Sequence, residues 1–194
     1  MRVLGIDPGL TRCGFGAVDG EASRSAVFVG AGVITSSSAD TIDQRLLEIH
    51  TGLEQVIEEY APDILAVERV FSQNNVGTVM GTAQVSGLAI VLAAQRGIPV
   101  EMHTPSEVKR AITDNGRADK KQIQAVVARL LGLAEAPKPA DAADAVAIAI
   151  TQLWRGRGTV RLDRTGAART SAQAQWADAE RRARRSREAS TSHW

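Results

Sequence analysis

The chain has 194 residues, 44% of them hydrophobic and 23% charged, with a single cysteine; that allows one main domain plus an appendage and rules out an internal disulfide. Its net charge of +1 conceals a split: from Arg155 onward ten arginines stand against Asp163, Asp178, Glu180 and Glu188, a surplus of +6, which leaves −5 for residues 1–154. No segment reaches the roughly 18 apolar residues of a membrane span and the chain runs straight into a strand without a basic leader, so a soluble, unexported, cytoplasmic protein is expected.

The first predicted element is a strand over 1–7, whose apolar Val3-Leu4-Gly5-Ile6 ends on Asp7 and meets Pro8-Gly9, a pair that turns. Asp7 is thereby presented at a strand tip, although Asp-Pro-Gly by itself is also an ordinary turn. Strands follow over 12–19, with Cys13 as a small packed residue, and over 26–34. A helix is expected over 40–60, with Leu46, Leu47, Ile49, Leu53, Val56 and Ile57 in one apolar stripe. The next strand, 63–68, carries the unbroken run Ile64-Leu65-Ala66-Val67 of a strand covered on both faces and ends on Glu68. A glutamate there needs a partner or a ligand, because Glu is almost never buried alone.

Phe71 lies just beyond that carboxylate. It either closes over the core or stacks on a nucleic-acid base, a contact worth about 1 to 3 kcal/mol. The helix over 76–96 has almost no polar face through Val85, Leu88, Ala89, Ile90, Val91, Leu92, Ala93 and Ala94. Such a helix is either central in the core or shared with a second subunit. A strand over 98–103 and helices over 119–131 and 140–154 complete a mixed α/β sheet. Lys109-Arg110, and Arg117, Lys120 and Lys121 near the start of the 119–131 helix, combine cations with free N–H groups. That pairing suits phosphates, or it is simply a solvated helix end.

Asp141 and Asp144 open the last helix three residues apart and therefore share a face. As helix caps alone they would contribute about 0.3 to 1 kcal/mol each. His50, His103 and His193 lie in unlike contexts and form no metal-ligand pattern. Residues 155–194 are rich in Arg, Ala, Gly, Ser and Thr and poor in core formers, which marks a mobile or partly helical basic tail, either an anion binder or a solvated extension of a 1–154 domain. Taken together, four carboxylates at strand ends and a helix start point to a metal-dependent nuclease.

Gly5-Ile6-Asp7-Pro8-Gly9, Val67-Glu68-Arg69-Val70-Phe71, Asp119-Lys120-Lys121 and Asp141-Ala142-Ala143-Asp144-Ala145, in this order and spacing, resemble the RuvC family of crossover junction endonucleases, the bacterial Holliday junction resolvases. The likeness covers about residues 1–154, and Asp-Ala-Ala-Asp-Ala at a helix start is its most specific part. It implies a ribonuclease-H-like, mixed five-stranded sheet flanked by helices, followed here by the basic C-terminal tail. It also implies a homodimer that makes paired, symmetric nicks in four-way junction DNA during homologous recombination and DNA repair, leaving 5′-phosphate and 3′-hydroxyl ends.

By the same resemblance Asp7, Glu68, Asp141 and Asp144 are the catalytic metal ligands, with Asp7 bridging about two Mg²⁺ ions per site and Mn²⁺ able to substitute. Phe71 becomes a junction wedge, Lys109, Arg117, Lys120 and Lys121 become DNA contacts, and RuvA and RuvB become partners. The chain departs from the family pattern at Ser86, where relatives often carry an arginine, and at Arg69, where a glutamine is common. Two alternatives stand beside this reading: a ribonuclease-H-like nuclease acting on RNA precursors or RNA–DNA hybrids, and a non-catalytic branched-DNA binding protein.

Overall fold

The computed structural model describes residues 1–20, 25–69 and 76–155. The strands are β1 (Arg2–Asp7), β2 (Arg12–Gly20), β3 (Ala26–Thr35), β4 (Ile64–Glu68) and β5 (Val100–His103). Between and after them run α1 (Ile42–Tyr60), α2 (Val76–Gln95), α3 (Pro105–Thr113), α4 (Lys120–Leu130) and α5 (Ala140–Arg155). The strands form one sheet in the order β3-β2-β1-β4-β5. β1 and β2, and β2 and β3, pair antiparallel, whereas β1, β4 and β5 run parallel.

Strand alternation splits the core in two, because successive side chains point to opposite faces. Leu4, Ile6, Cys13 and Ala17 face one side, where they pack with Ile49, Leu53, Val56 and Ile57 of α1 and Val85, Ala89, Leu92 and Ala93 of α2. Val3, Val18 and Ala66 face the other, against α3, α4 and α5 through Val108, Ile112, Ile123, Val127 and the run Val146–Ile150. Each fully buried Leu, Ile or Val contributes about 1.5 to 3 kcal/mol of transfer free energy. Continuous burial from Ala145 to Gln152 makes α5 the most enclosed helix among the described residues.

How α5 comes so close to the sheet depends on glycines. Gly5 and Gly16 are register partners across β1 and β2, and Gly14 pairs with Asp7. A Cβ on Gly5 would stand 2.1 Å from the Ala145 carbonyl oxygen, on Gly14 2.2 Å from that of Asp141, and on Gly16 2.4 Å from the Val146 side chain. The missing side chains form a bare strip of sheet on which the helix backbone lies directly.

The sequence reading places no helix between 103 and 119, and the structure corrects it with α3. Its signal is local: Thr104 accepts from the Glu107 N–H at 3.2 Å, the Glu107 carboxylate accepts from the Thr104 N–H at 2.8 Å, and Pro105 occupies the first turn. Asp114, with φ of 56°, ends it. For α2, a buried face and an exposed one both turn out apolar. Met80 is 59% and Val91 54% exposed, while Val85, Ala89, Leu92 and Ala93 lie in the core. Ser86 is buried as well, and its hydroxyl has no hydrogen-bond partner among the described residues. No helix among those residues is long and apolar enough to cross a membrane.

Candidate active site

Ile6 and Val67 are neighbours in the parallel β1–β4 ladder, and Asp7 and Glu68 are the next and last residues of those strands. Two carboxylates therefore leave the sheet side by side. The glycine strip brings the first turn of α5 over the same spot, since the Asp141 backbone lies on Gly14, the ladder partner of Asp7. From the far side, α4 contributes Lys120 at its first position because Asp119 caps the helix, accepting from the Gln122 N–H at 2.8 Å.

Asp7, Glu68 and Asp144 line one cavity of about 310 Å³ with Lys109 and Lys120, against apolar walls that include Val108, Ile123 and Ile148. Burial, followed by the charges of Glu68, Asp144 and Asp141, pushes the Asp7 carboxyl up to about 7, with Lys120 opposing. Glu68 is raised from the ordinary glutamate value by burial first and Asp144 second, against the pull of Lys120 and Lys109. Lys120 is held more firmly protonated by its hydrogen bond to Asp144, with help from Asp7 and Asp141.

The two acids on α5 are each engaged by a cation. Lys120 Nζ meets Asp144 Oδ2 at 2.9 Å, and Arg12 Nε meets Asp141 Oδ2 at 2.6 Å. Asp141 thus sits at the rim, bound to the first residue of β2, rather than in the cavity wall. In this arrangement no group of three or more His, Cys, Asp and Glu among the described residues stands close enough to share an ion. The four carboxylates nevertheless interact electrostatically as one set centred on Asp7.

Lys109 and Lys120 reach the cavity, while Lys121 points into a separate groove along α4. Arg117 is exposed in the loop before α4, its backbone N–H held by Asn115 Oδ1 at 2.9 Å. Phe71 lies outside the described residues. Reading the sequence missed Arg12, although its place at the end of the Asp-Pro-Gly loop was a signal. It also missed the part played by His103 and Gln152, buried partners 2.8 Å apart that tie β5 to α5. Arg155 extends the tie, reaching Glu107 of α3 at 3.0 Å. Burial first, then the nearby Arg155 charge, lower the His103 pKa, opposed by the Gln152 hydrogen bond.

The sequence profile of the family described as crossover junction endodeoxyribonuclease RuvC matches residues 3–152. A protein of that name from Thermobifida fusca is 58% identical over 164 residues, 84% of this chain and 90% of the relative. Another, from Renibacterium salmoninarum, is 56% identical over 194 residues, 98% of each. Among solved structures, T. thermophilus RuvC in complex with a Holliday junction substrate superposes with a TM-score of 0.73 at 34% identity, covering 78% of this chain and 92% of that one. The yeast mitochondrial Holliday junction resolvase Ydc2, at 13% identity and a TM-score of 0.56, shares the fold.

Proposed function

The chain belongs to the RuvC family of crossover junction endodeoxyribonucleases, and from that premise we propose how its acidic cavity cuts DNA. It is an endonuclease that resolves Holliday junctions. The observation that carries the reading of the site is the gathering of Asp7, Glu68 and Asp144 with two lysines in one cavity, where burial first and the neighbouring carboxylates second push the Asp7 carboxyl up to about 7.

A set of carboxylates offers only hard oxygen donors, and its mutual repulsion is what a bound divalent cation relieves. The donors fit Mg²⁺, with Mn²⁺ substituting, better than zinc. Asp7, Glu68, Asp141 and Asp144 would hold about two such ions, which supply a water of lowered pKa and stabilise the departing 3′-oxygen, leaving 5′-phosphate and 3′-hydroxyl ends. A bound cation would favour the ionised form of Asp7, so ion uptake would strengthen as pH rises. Lys120 and Arg12, which neutralise Asp144 and Asp141, are released to meet the incoming phosphates. Lys109 faces the strand from the cavity wall, and Arg117 and Lys121 meet the flanking backbone. Phe71 is the wedge that unstacks the crossover.

Paired symmetric nicks require two such sites about a two-fold axis, and a homodimer supplies them. The exposed apolar Met80 and Val91 of α2 support a second subunit covering that helix. Residues 1–154 form the nuclease domain, and the Arg-rich 155–194 tail adds sequence-independent DNA affinity. The enzyme works in the cytoplasm beside RuvA and RuvB.

Cleavage of a mobile synthetic four-way junction, beside linear duplex and RNA–DNA hybrid, tests this reading with Mg²⁺ or EDTA and with wild type or Asp141→Asn. Symmetric nicks confined to the junction, abolished by EDTA and by the substitution, are expected. Hybrid cleavage, or junction binding without any cut, overturns it.

A further inference from the structure

Beside the cavity, but not part of it, an open groove of about 660 Å³ runs between α4 and residues 133–140. Lys121, Gln124, Ala125, Ala128 and Arg129 recur at helical spacing along one face of α4 and form one wall. Ile123 and Val127, on the opposite face, are buried in the core. Lys138 comes from the facing loop, where Glu135, the acid that partners it, is the one carboxylate in the lining. The groove therefore carries cations on both walls and alanines between them, so an extended chain of negative charge can come close.

Its position is as telling as its charge. At the near end the lining includes Lys121 and Ala140, the chain neighbours of Lys120 and Asp141, which belong to the acidic site. At 1.5 Å per residue the stretch of α4 from Lys121 to Arg129 is about 12 Å long. A wall of that length runs beside more than one phosphate of a strand that follows the groove.

We propose that this groove holds the phosphodiester backbone of a junction arm beside the cut, gripped by Arg129 and Lys138 and entered past Lys121. The assignment rests on the junction-nuclease reading and adds a contact that the acidic cavity does not contain. Arg129 and Lys138 line the groove and not the acidic cavity, so they contribute affinity and registration of the arm, not chemistry. Glu135 limits the grip by occupying Lys138 until DNA displaces it.

The test is the full-length Arg129→Gln/Lys138→Gln variant on a four-way junction in Ca²⁺, titrated across salt. Loss of two phosphate contacts lowers the slope of log affinity against log salt by about 2 and weakens binding roughly tenfold or more at 0.1 M salt. Methylphosphonates placed one at a time along the first few nucleotides flanking the cut weaken wild type at the phosphates this groove holds, and at those positions leave the variant unaffected. An unchanged thermal midpoint and Mn²⁺ affinity establish that the variant is folded with its acidic site intact. Equal slopes for the two proteins overturn the proposal and leave the groove to solvent or to an acidic protein partner. If wild type cuts no junction, the junction-nuclease reading fails first, whatever the slopes.

Discussion

Replacing Asp7 with asparagine in the ion-free protein turns the crowding of the site into a measurable stability. In the folded chain the Asp7 carboxyl is pushed from an ordinary 3.8 up to about 7 by burial and by Glu68, Asp144 and Asp141. A folded pKa above the unfolded one means that the native state binds the proton more tightly. The resulting stabilisation is complete below about pH 4 and is lost as pH rises through about 7. From 3.8 to about 7, at about 1.4 kcal/mol per pH unit, wild type loses on the order of 4 kcal/mol by pH 8. That is a large part of the roughly 5 to 15 kcal/mol of a typical domain. The asparagine amide carries no charge to expel, and its arrival also relieves Glu68. Asp7→Asn should therefore match wild type near pH 4 and exceed it by a few kcal/mol at pH 8, measured by urea unfolding in EDTA at several pH values. With Mn²⁺ present the order should reverse, because the variant lacks a carboxylate that the proposed ion site uses. A difference between the two proteins that stays constant from pH 4 to pH 8 in EDTA would refute the claim that like charge and burial hold Asp7 protonated.

Gly14→Ala places a methyl group 2.2 Å from the Asp141 carbonyl oxygen, so α5 or β2 must shift; the expected cost is about 1 to 3 kcal/mol in thermal unfolding, with weakened Mn²⁺ binding, and no change in either would show that α5 does not rest on that glycine. Arg12→Gln frees Asp141 from its 2.6 Å ion pair. Calorimetric titration of the DNA-free variant should give Mn²⁺ binding severalfold tighter than wild type, and equal or weaker binding would mean that Arg12 does not compete with the ion.

Much of the fold was legible because burial leaves a periodic trace. The unbroken run Ile64–Val67 marked an interior strand, and β4 does lie between β1 and β5. The stripe on α1 marked a helix lying on a core, and Ile49, Leu53, Val56 and Ile57 are buried there with Leu46 partly so, whereas Leu47, read as part of the same stripe, is 65% exposed. α3 was missed although its capping box was readable, since only Val108 and Ile112 of its nine residues are buried and the apolar period is too short to register. For α2, hydropathy could say that the helix needed cover on more than one side but not which side the chain itself leaves bare; that required knowing where α1 and the sheet lie.

Local chemistry in the sequence placed Asp7 and Glu68 at strand ends and Asp141 and Asp144 on one helix face, because turn residues, apolar runs and helical periodicity act over a few neighbouring positions. What joins them acts across the whole chain. The β1–β4 register sets Asp7 beside Glu68, and Gly5, Gly14 and Gly16 leave the bare surface that lets α5 bring its acids to Asp7. Arg12 reaches Asp141 across 129 positions of sequence. A glycine's value here lies in the atom it lacks and a salt bridge's in the distance it closes, and neither is determined until strands, helices and their register have assembled.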